Sequence, residues 1–185
     1  SSASIKDFDK WPRIVSIAWL LSDFDGEEIE CKEYILKADG FDIPISAMNK
    51  HHITKDFADT HGTDRIAVLK EFAIVLSKAK YMLAHNAAFE KKVIHSELVR
   101  NKIKSKIHSI SRICTMLDTI EFCKAGKNRW GDYKYPSFKF LYQKIFDKEY
   151  VDDHVALDDV IATRNCFFEM VNRGQYIITD VGTIE

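Results

Sequence analysis

The chain has 185 residues, of which 46% are hydrophobic and 12% aromatic, with only three prolines and seven glycines. This composition is typical of one folded globular domain and excludes a disordered or fibrous protein. The 27 basic residues nearly balance the 28 acidic ones. The net charge therefore indicates neither a basic coat for nucleic acid nor an acidic tail, although a cleft can still carry a local field.

The first predicted elements form an antiparallel strand pair. Residues 13–23 are a dense run rich in Ile, Val and Trp, and Asp25-Gly26 suits a tight turn. Residues 28–38 then alternate, less strictly, between apolar and charged side chains. We therefore expect a buried strand followed by a half-exposed one.

Helices and strands alternate after this hairpin. The predictions, in chain order, are a loop with short helical turns over 42–62, a helix over 63–80, a strand over 81–86, a helix over 87–102, a strand over 107–116, a loop over 123–136, a helix over 137–146 and a closing helix over 157–172. This order indicates an α/β three-layer fold, with a mixed sheet of about five strands and helices on both faces. We expect a single domain over 1–185, in which 175–185 is a candidate docking tail.

The helix over 63–80 has the clearest amphipathic pattern. Thr63 or Asp64 is its predicted cap. Its predicted core stripe is Ile66, Leu69, Phe72, Ala73 and Leu76.

The cysteines and the N-terminus predict a cytoplasmic protein with no membrane partner. The four cysteines have no CxxC spacing, and most lie in apolar segments, so we expect reduced, buried thiols. No apolar run is long enough to cross a bilayer, and "SSASIKDFDK" lacks the core of a signal peptide.

Two segments carry the residues that could perform chemistry. Glu90 lies in the first turn of the helix after the strand at 81–86, where a carboxylate can bind a metal or simply favour the helix start. His154 and Asp159 are five residues apart where the closing helix begins. Asp158 or Asp159 could instead cap that helix, with His154 a solvated loop residue.

The loop at 123–136 interleaves basic and aromatic side chains, including Arg129 and Trp130. Basic groups can bind phosphates, and aromatic rings can stack on bases. A mobile, solvated loop rich in lysine is the alternative explanation.

Two motifs resemble those of the DEDDh exonucleases, a family that includes the proofreading epsilon subunit of bacterial replicative polymerases, RNase T and oligoribonuclease. "HNAAFE" at 85–90 resembles the family's second motif, HNxxFD, and "HVALDDVIAT" at 154–163 resembles its third. The similarity is nearly continuous from Trp11 to Arg173. It implies an RNase H-like fold.

The resemblance also implies a two-metal site. Four carboxylates of the family hold two divalent cations, Mg²⁺ or Mn²⁺, and a histidine accepts a proton from the attacking water. By motif position, His154 matches the general base, Asp159 matches the last metal ligand, and Glu90 stands where the family has Asp. The pocket for the terminal nucleotide would include His85, Asn86 and Phe89, although a core position is the alternative for Phe89.

The family's first motif, D-x-E-T-T-G, is absent from this chain. It supplies two of the four carboxylates from a central strand, which would lie between the strands at 13–23 and 81–86. Neither Asp7–Asp9 nor the hairpin tip at 23–28 is a suitable substitute. Unpaired buried backbone groups cost about 1–3 kcal/mol each, so we expect the native protein to continue upstream by roughly one strand and turn.

The predicted function is a 3′→5′ exonuclease that hydrolyses single-stranded 3′ ends of nucleic acid, with DNA the expected substrate and RNA the alternative. A polymerase or another replication protein is a candidate partner. The competing hypothesis is a catalytically inactive module that keeps the fold and binds nucleic acid or a protein.

Overall fold

The computed structural model describes residues 10–151, 155–178 and 184. It confirms the α/β class. The elements in chain order are β1 Ser16–Ser22, β2 Glu28–Ile35, α1 Ile45–His51, α2 Lys55–His61, α3 Arg65–Lys78, β3 Tyr81–Ala84, α4 Ala87–Arg100, β4 Ser111–Cys114, α5 Thr115–Asp118, α6 Ile120–Cys123, α7 Phe138–Phe146 and α8 Ala156–Asn172.

The predicted hairpin is confirmed. Strands β1 and β2 pair antiparallel, with Ser16 opposite Ile35 and an irregularity near the turn. The side chain of Asp23 closes the turn by accepting hydrogen bonds from two backbone N–H groups, at 3.0 and 2.8 Å. Gly26 has φ +91°, and a Cβ there would approach the Phe168 ring at 3.2 Å, so a glycine suits both the backbone and the packing.

Strands β3 and β4 form a second, parallel pair, and α4 belongs to the connection between them. Within the described ranges the four strands form two separate two-stranded sheets, rather than one mixed sheet of about five strands. Helix α8 packs against strands of both sheets. The two strand pairs therefore share α8 as a packing partner.

The connecting segments contain more helix than predicted. The loop expected over 42–62 holds α1 and α2, and Thr54 caps α2 by accepting from the N–H of Phe57 at 3.1 Å. The strand expected over 107–116 is shorter, because its end turns into α5.

The core face of α3 differs in part from the predicted stripe. Asp64 is the cap, accepting from the N–H of Ala67 at 2.7 Å. Ile66, however, is 45% exposed, and the prediction of a core position for it was wrong. The helix is rotated so that Val68 and Val75 are buried instead, together with the charged side chain of Arg65.

A buried ionic cluster ties α4 to the rest of the fold. Glu97 is fully buried and forms ion pairs with three arginines at 3.1–3.2 Å: Arg13, Arg65 and Arg100. Arg65 also donates to the carbonyl groups of Ile14 and Lys37, each at 2.6 Å. The arginines come from three segments, so this cluster fixes α4 relative to β1 and α3.

All four cysteines are free, and three of them are buried. Among the described residues, no helix is both long enough and apolar enough to cross a membrane.

Candidate active site

The site is built on the junction between β3 and α4. Strand β3 ends at Ala84, and Asn86 takes a left-handed conformation, with φ 66°. Asparagine tolerates this region better than most residues. The Asn86 carbonyl then accepts from the N–H groups of Phe89 and Glu90, at 2.9 and 3.3 Å. This sharp turn places Glu90 on the first turn of α4, at the carboxyl end of β3.

Two carboxylates from well-separated segments of the sequence, on α4 and α8, come together here. Burial, followed by the negative charge of Asp159, raises the pKa of Glu90. Within the described part of the chain, the Glu90 carboxylate has no hydrogen-bond or ion-pair partner. A half-buried, unpaired carboxylate beside a second carboxylate is unfavourable by itself, and such arrangements concentrate at functional sites.

Asp159 is held by a residue that sequence reasoning missed. The Tyr150 hydroxyl donates to its Oδ1 atom at 2.5 Å. Tyr150 is buried against the rings of Phe138 and Tyr142, at centroid distances of 4.9 and 5.1 Å. No sequence motif marks Tyr150, because its role arises only when α7 and α8 pack together.

The start of α8 shows that neither Asp158 nor Asp159 caps this helix. The cap position is Val155, whose side chain forms no capping hydrogen bond. Asp158 and Asp159 lie inside the first turn, so neither is the cap. The carboxylate of Glu33, from β2, instead accepts from the N–H of Leu157 at 3.1 Å.

His85 is engaged on both ring nitrogens. Its Nδ1 lies 3.0 Å from the Thr115 hydroxyl, and its Nε2 lies 3.2 Å from the Pro136 carbonyl. Because a carbonyl can only accept, Nε2 carries the proton and Nδ1 accepts from Thr115. Burial lowers the pKa of His85, although the bond to Pro136 opposes this effect. A neutral His85 therefore anchors the end of the 123–136 segment beside the site.

Asn86 and Phe89 are available to a ligand. The half-buried Asn86 side chain forms no capping hydrogen bond to α4. The Phe89 ring is 36% exposed and contacts the Trp11 ring edge-on at 6.0 Å, so the alternative of a core position for Phe89 was wrong. His154, the predicted general base, lies outside the described residues.

The basic aromatic segment is a loop, as predicted, and local hydrogen bonds shape its tip into a hairpin. Residues Lys127 and Tyr133 form a β-bridge. The Asn128 carboxamide oxygen accepts from the N–H groups of Trp130 and Asp132, at 2.9 and 3.1 Å. Trp130 is 71% exposed, and the Arg129 guanidinium stacks 3.9 Å from its ring centroid. A cation and an aromatic face are thus presented together at the hairpin tip.

The carboxylate pair suits a hard divalent cation. Carboxylate oxygen atoms are ligands that Mg²⁺ and Mn²⁺ prefer. Within residues 10–151, 155–178 and 184, however, no group of three or more His, Cys, Asp or Glu side chains converges as a metal site. The described residues therefore supply two candidate ligands, Glu90 and Asp159.

Comparison with known proteins decides the family. The RNase T exonuclease family model matches residues 7–167. The chain belongs to this exonuclease family. The predicted resemblance to DEDDh exonucleases is thereby confirmed, whereas the narrower likeness to the epsilon subunit stays a prediction. No curated protein matches the chain.

Solved structures of E. coli Exonuclease I share the exonuclease fold. Its dT13 complex has a TM-score of 0.69 at 22% identity, over 88% of this chain and 38% of that one. Its dA16 complex has a TM-score of 0.67 at 20% identity, over 86% and 37%. A zinc-bound form with single-stranded DNA has a TM-score of 0.67 at 22% identity, over 87% and 37%. This chain thus spans well under half of that protein's length, and the likeness shows the fold alone.

Proposed function

We propose that this exonuclease domain removes nucleotides from the 3′ end of single-stranded nucleic acid by a two-metal mechanism. The proposal is supported mainly by the proximity of two carboxylates on the exonuclease fold. Glu90 lies just after the end of β3, and Asp159 lies in the first turn of α8. Burial and then the negative charge of Asp159 raise the pKa of Glu90, as expected when two carboxylates are neighbours.

Glu90 and Asp159 would each hold a cation through a carboxylate oxygen, and Tyr150 orients Asp159 through its short hydrogen bond. Bound Mg²⁺ or Mn²⁺ would supply charge stabilisation at the scissile phosphodiester. His154, by its motif position, accepts the proton of the attacking water. Glu90 keeps the charge of the usual aspartate but is one methylene longer, and the effect of the Asp159 charge on its pKa supports a shared site for the two carboxylates.

The terminal nucleotide would contact Asn86 and Phe89, whose side chains are accessible beside the carboxylates. His85 acts by positioning, since both of its ring nitrogens bind protein groups. Arg129 and Trp130 would receive a more distant part of the strand, because base stacking on an exposed ring tolerates any sequence. The oligonucleotide complexes of Exonuclease I support a single-stranded substrate.

The test is digestion of a 5′-labelled single-stranded oligonucleotide with Mg²⁺ or Mn²⁺. A ladder of shortened labelled products would establish 3′→5′ cleavage, and EDTA should abolish it. Asp159→Asn and His154→Ala should reduce the rate by at least about 10²-fold, the usual contribution of a general base or more. Asp158→Asn is the matched control, because this neighbouring carboxylate is exposed, and it should retain near wild-type activity.

The outcomes separate the two functional hypotheses. Folded protein that forms no ladder with either cation, yet binds the oligonucleotide, would support the inactive binding module instead. Cleavage that survives Asp159→Asn would refute the assignment of the metal ligand. DNA and RNA oligonucleotides of one sequence, run side by side, would test the expected preference for DNA.

Tryptophan fluorescence tests whether the hairpin contacts the oligonucleotide. Trp11 and Trp19 are buried, so Trp130 is the tryptophan most accessible to a ligand. Stacking of a base on Trp130 should quench its fluorescence in the presence of EDTA, and Trp130→Ala should remove that signal. Wild-type binding without quenching would exclude Trp130 from the interface. A polymerase partner and a cytoplasmic location stay predictions.

A further inference from the structure

A polar cavity of about 450 Å³ lies beside the candidate active site. It is lined on one side by the start of α4, including Lys91, and on the other by the segment 108–112 and α5. Lys91 directly follows Glu90 and points about 100° further around the helix. The cavity is therefore next to the carboxylate pair without sharing its side chains.

The cavity concentrates positive charge. The Lys91 Nζ atom donates to the His108 carbonyl at 2.8 Å, which holds the lysine against the 108–112 segment. Arg112 lines the same cavity as Lys91, so the two cations face one space. His95 and His108 stack edge-on behind them, at a centroid distance of 4.0 Å.

Within the described part of the chain, neither Lys91 nor Arg112 forms an ion pair. Asp118 lines the same cavity, and its Oδ2 atom accepts from the N–H of Cys114 at 3.1 Å and from the Tyr176 hydroxyl at 3.2 Å. Ser111 lies in the lining, whereas the Ser109 hydroxyl donates to the Lys106 carbonyl at 3.2 Å.

We propose that this cavity, defined by Lys91, Arg112 and Ser111, binds a phosphate group of the substrate strand, upstream of the nucleotide being removed. Two cations without an ion-pair partner in a concave site favour a phosphate group, whose oxygen atoms can accept hydrogen bonds from both of them. The location on α4, one residue from Glu90, places this phosphate on the strand that enters the active site. The inference rests on the proposed function, which supplies the strand.

The experiment measures binding of a single-stranded oligonucleotide in EDTA, which prevents cleavage, over a range of salt concentrations. Arg112→Gln should weaken binding by about tenfold, equally for different sequences, since a phosphate contact carries no sequence information. The slope of log K against log salt should fall by about 0.7 for each lost phosphate contact on a single strand. Lys91→Gln should act in the same direction.

Lys70→Gln is the matched control, because it removes the same charge from an exposed position on α3. Its affinity and salt slope should equal those of the wild type. Thermal unfolding of Arg112→Gln should match the wild type, since Arg112 is exposed on β4. Unchanged affinity and slope in both cavity variants would overturn the proposal.

Inorganic phosphate and a mononucleotide distinguish the source of the phosphate. If Arg112→Gln abolishes binding of these small anions but leaves the oligonucleotide affinity unchanged, the cavity is a site for free phosphate and the proposal fails. If the oligonucleotide loses affinity as expected while the wild type shows no metal-dependent cleavage, the cavity assignment stands and the proposed nuclease activity fails. The two proposals are thus tested separately.

Discussion

Replacing Glu97 by glutamine should destabilise the protein strongly although it keeps the side chain's volume. The carboxylate is fully buried and accepts from three arginines, from the N–H of Ile14 at 3.4 Å and from the Asn101 side chain at 3.2 Å. The amide cannot balance the charge of Arg65, which is itself only 4% exposed. Removing one partner from a buried ionic group costs about 3–5 kcal/mol.

The magnitude should be visible in thermal and urea unfolding at pH 7. For a chain of this size each kcal/mol lowers the midpoint by about 2–4 °C, so the expected decrease is roughly 6–20 °C. Glu169→Gln is the control, since it removes a partly exposed carboxylate paired with Arg173 at 2.8 Å. Such a surface pair contributes about 0–1 kcal/mol.

The pH dependence of the unfolding free energy tests whether the charge of Glu97 is the source of the stabilisation. Burial alone would raise the pKa of Glu97, but the hydrogen bond from Arg13 and the charges of Arg65 and Arg13 outweigh it and lower that pKa. A carboxyl with a lowered folded pKa stabilises above its unfolded pKa of about 4.3, and this stabilisation is lost as the pH falls through the folded value.

The difference in unfolding free energy between wild type and Glu97→Gln should therefore be full at pH 7 and shrink below about pH 4. A loss under about 1 kcal/mol at pH 7, or a difference that stays constant into the acid range, would refute the ionic explanation.

Three further outcomes are expected. Tyr150→Phe removes the hydrogen-bond donor to Asp159 and should weaken Mn²⁺ binding by about tenfold in a calorimetric titration; unchanged affinity would contradict the orienting role. Asp64→Ala removes the α3 cap and should cost about 1 kcal/mol in urea unfolding, whereas an equal midpoint would show that the bond to Ala67 contributes nothing. In the native protein a thiol reagent should modify at most Cys31, which is partly exposed, and rapid reaction of a second thiol would contradict the burial. The thiols expected to react only after unfolding are Cys114, Cys123 and Cys166, the last with a pKa that burial raises to about 12.

The local features of the fold followed from the sequence because they depend on neighbours in the chain. The hairpin turn at Asp25-Gly26 and the Asp64 cap of α3 are each contained within a few residues. The two motifs at 85–90 and 154–163 also indicated the family, which the match over residues 7–167 confirmed.

Features that depend on contacts between distant segments could not be predicted in the same way. Ile66 fits an amphipathic stripe, yet the burial of Arg65 against Glu97 rotates that face of α3 toward solvent. The ionic cluster had no sequence signal, since its arginines lie on three separate segments. Likewise, the composition of the loop gave no indication of the β-bridge between Lys127 and Tyr133.

For the candidate site, the sequence by itself determined which residue types are present: Glu90, Asp159 and a histidine with motif spacing. Only the tertiary structure decided their environment. The fold brings Glu90, which is half-buried, close enough to Asp159 for the charge of Asp159 to raise the pKa of Glu90, and it brings the Tyr150 hydroxyl to Asp159. Burial and charge proximity set the chemistry of a carboxylate, and both depend on which segments meet in space.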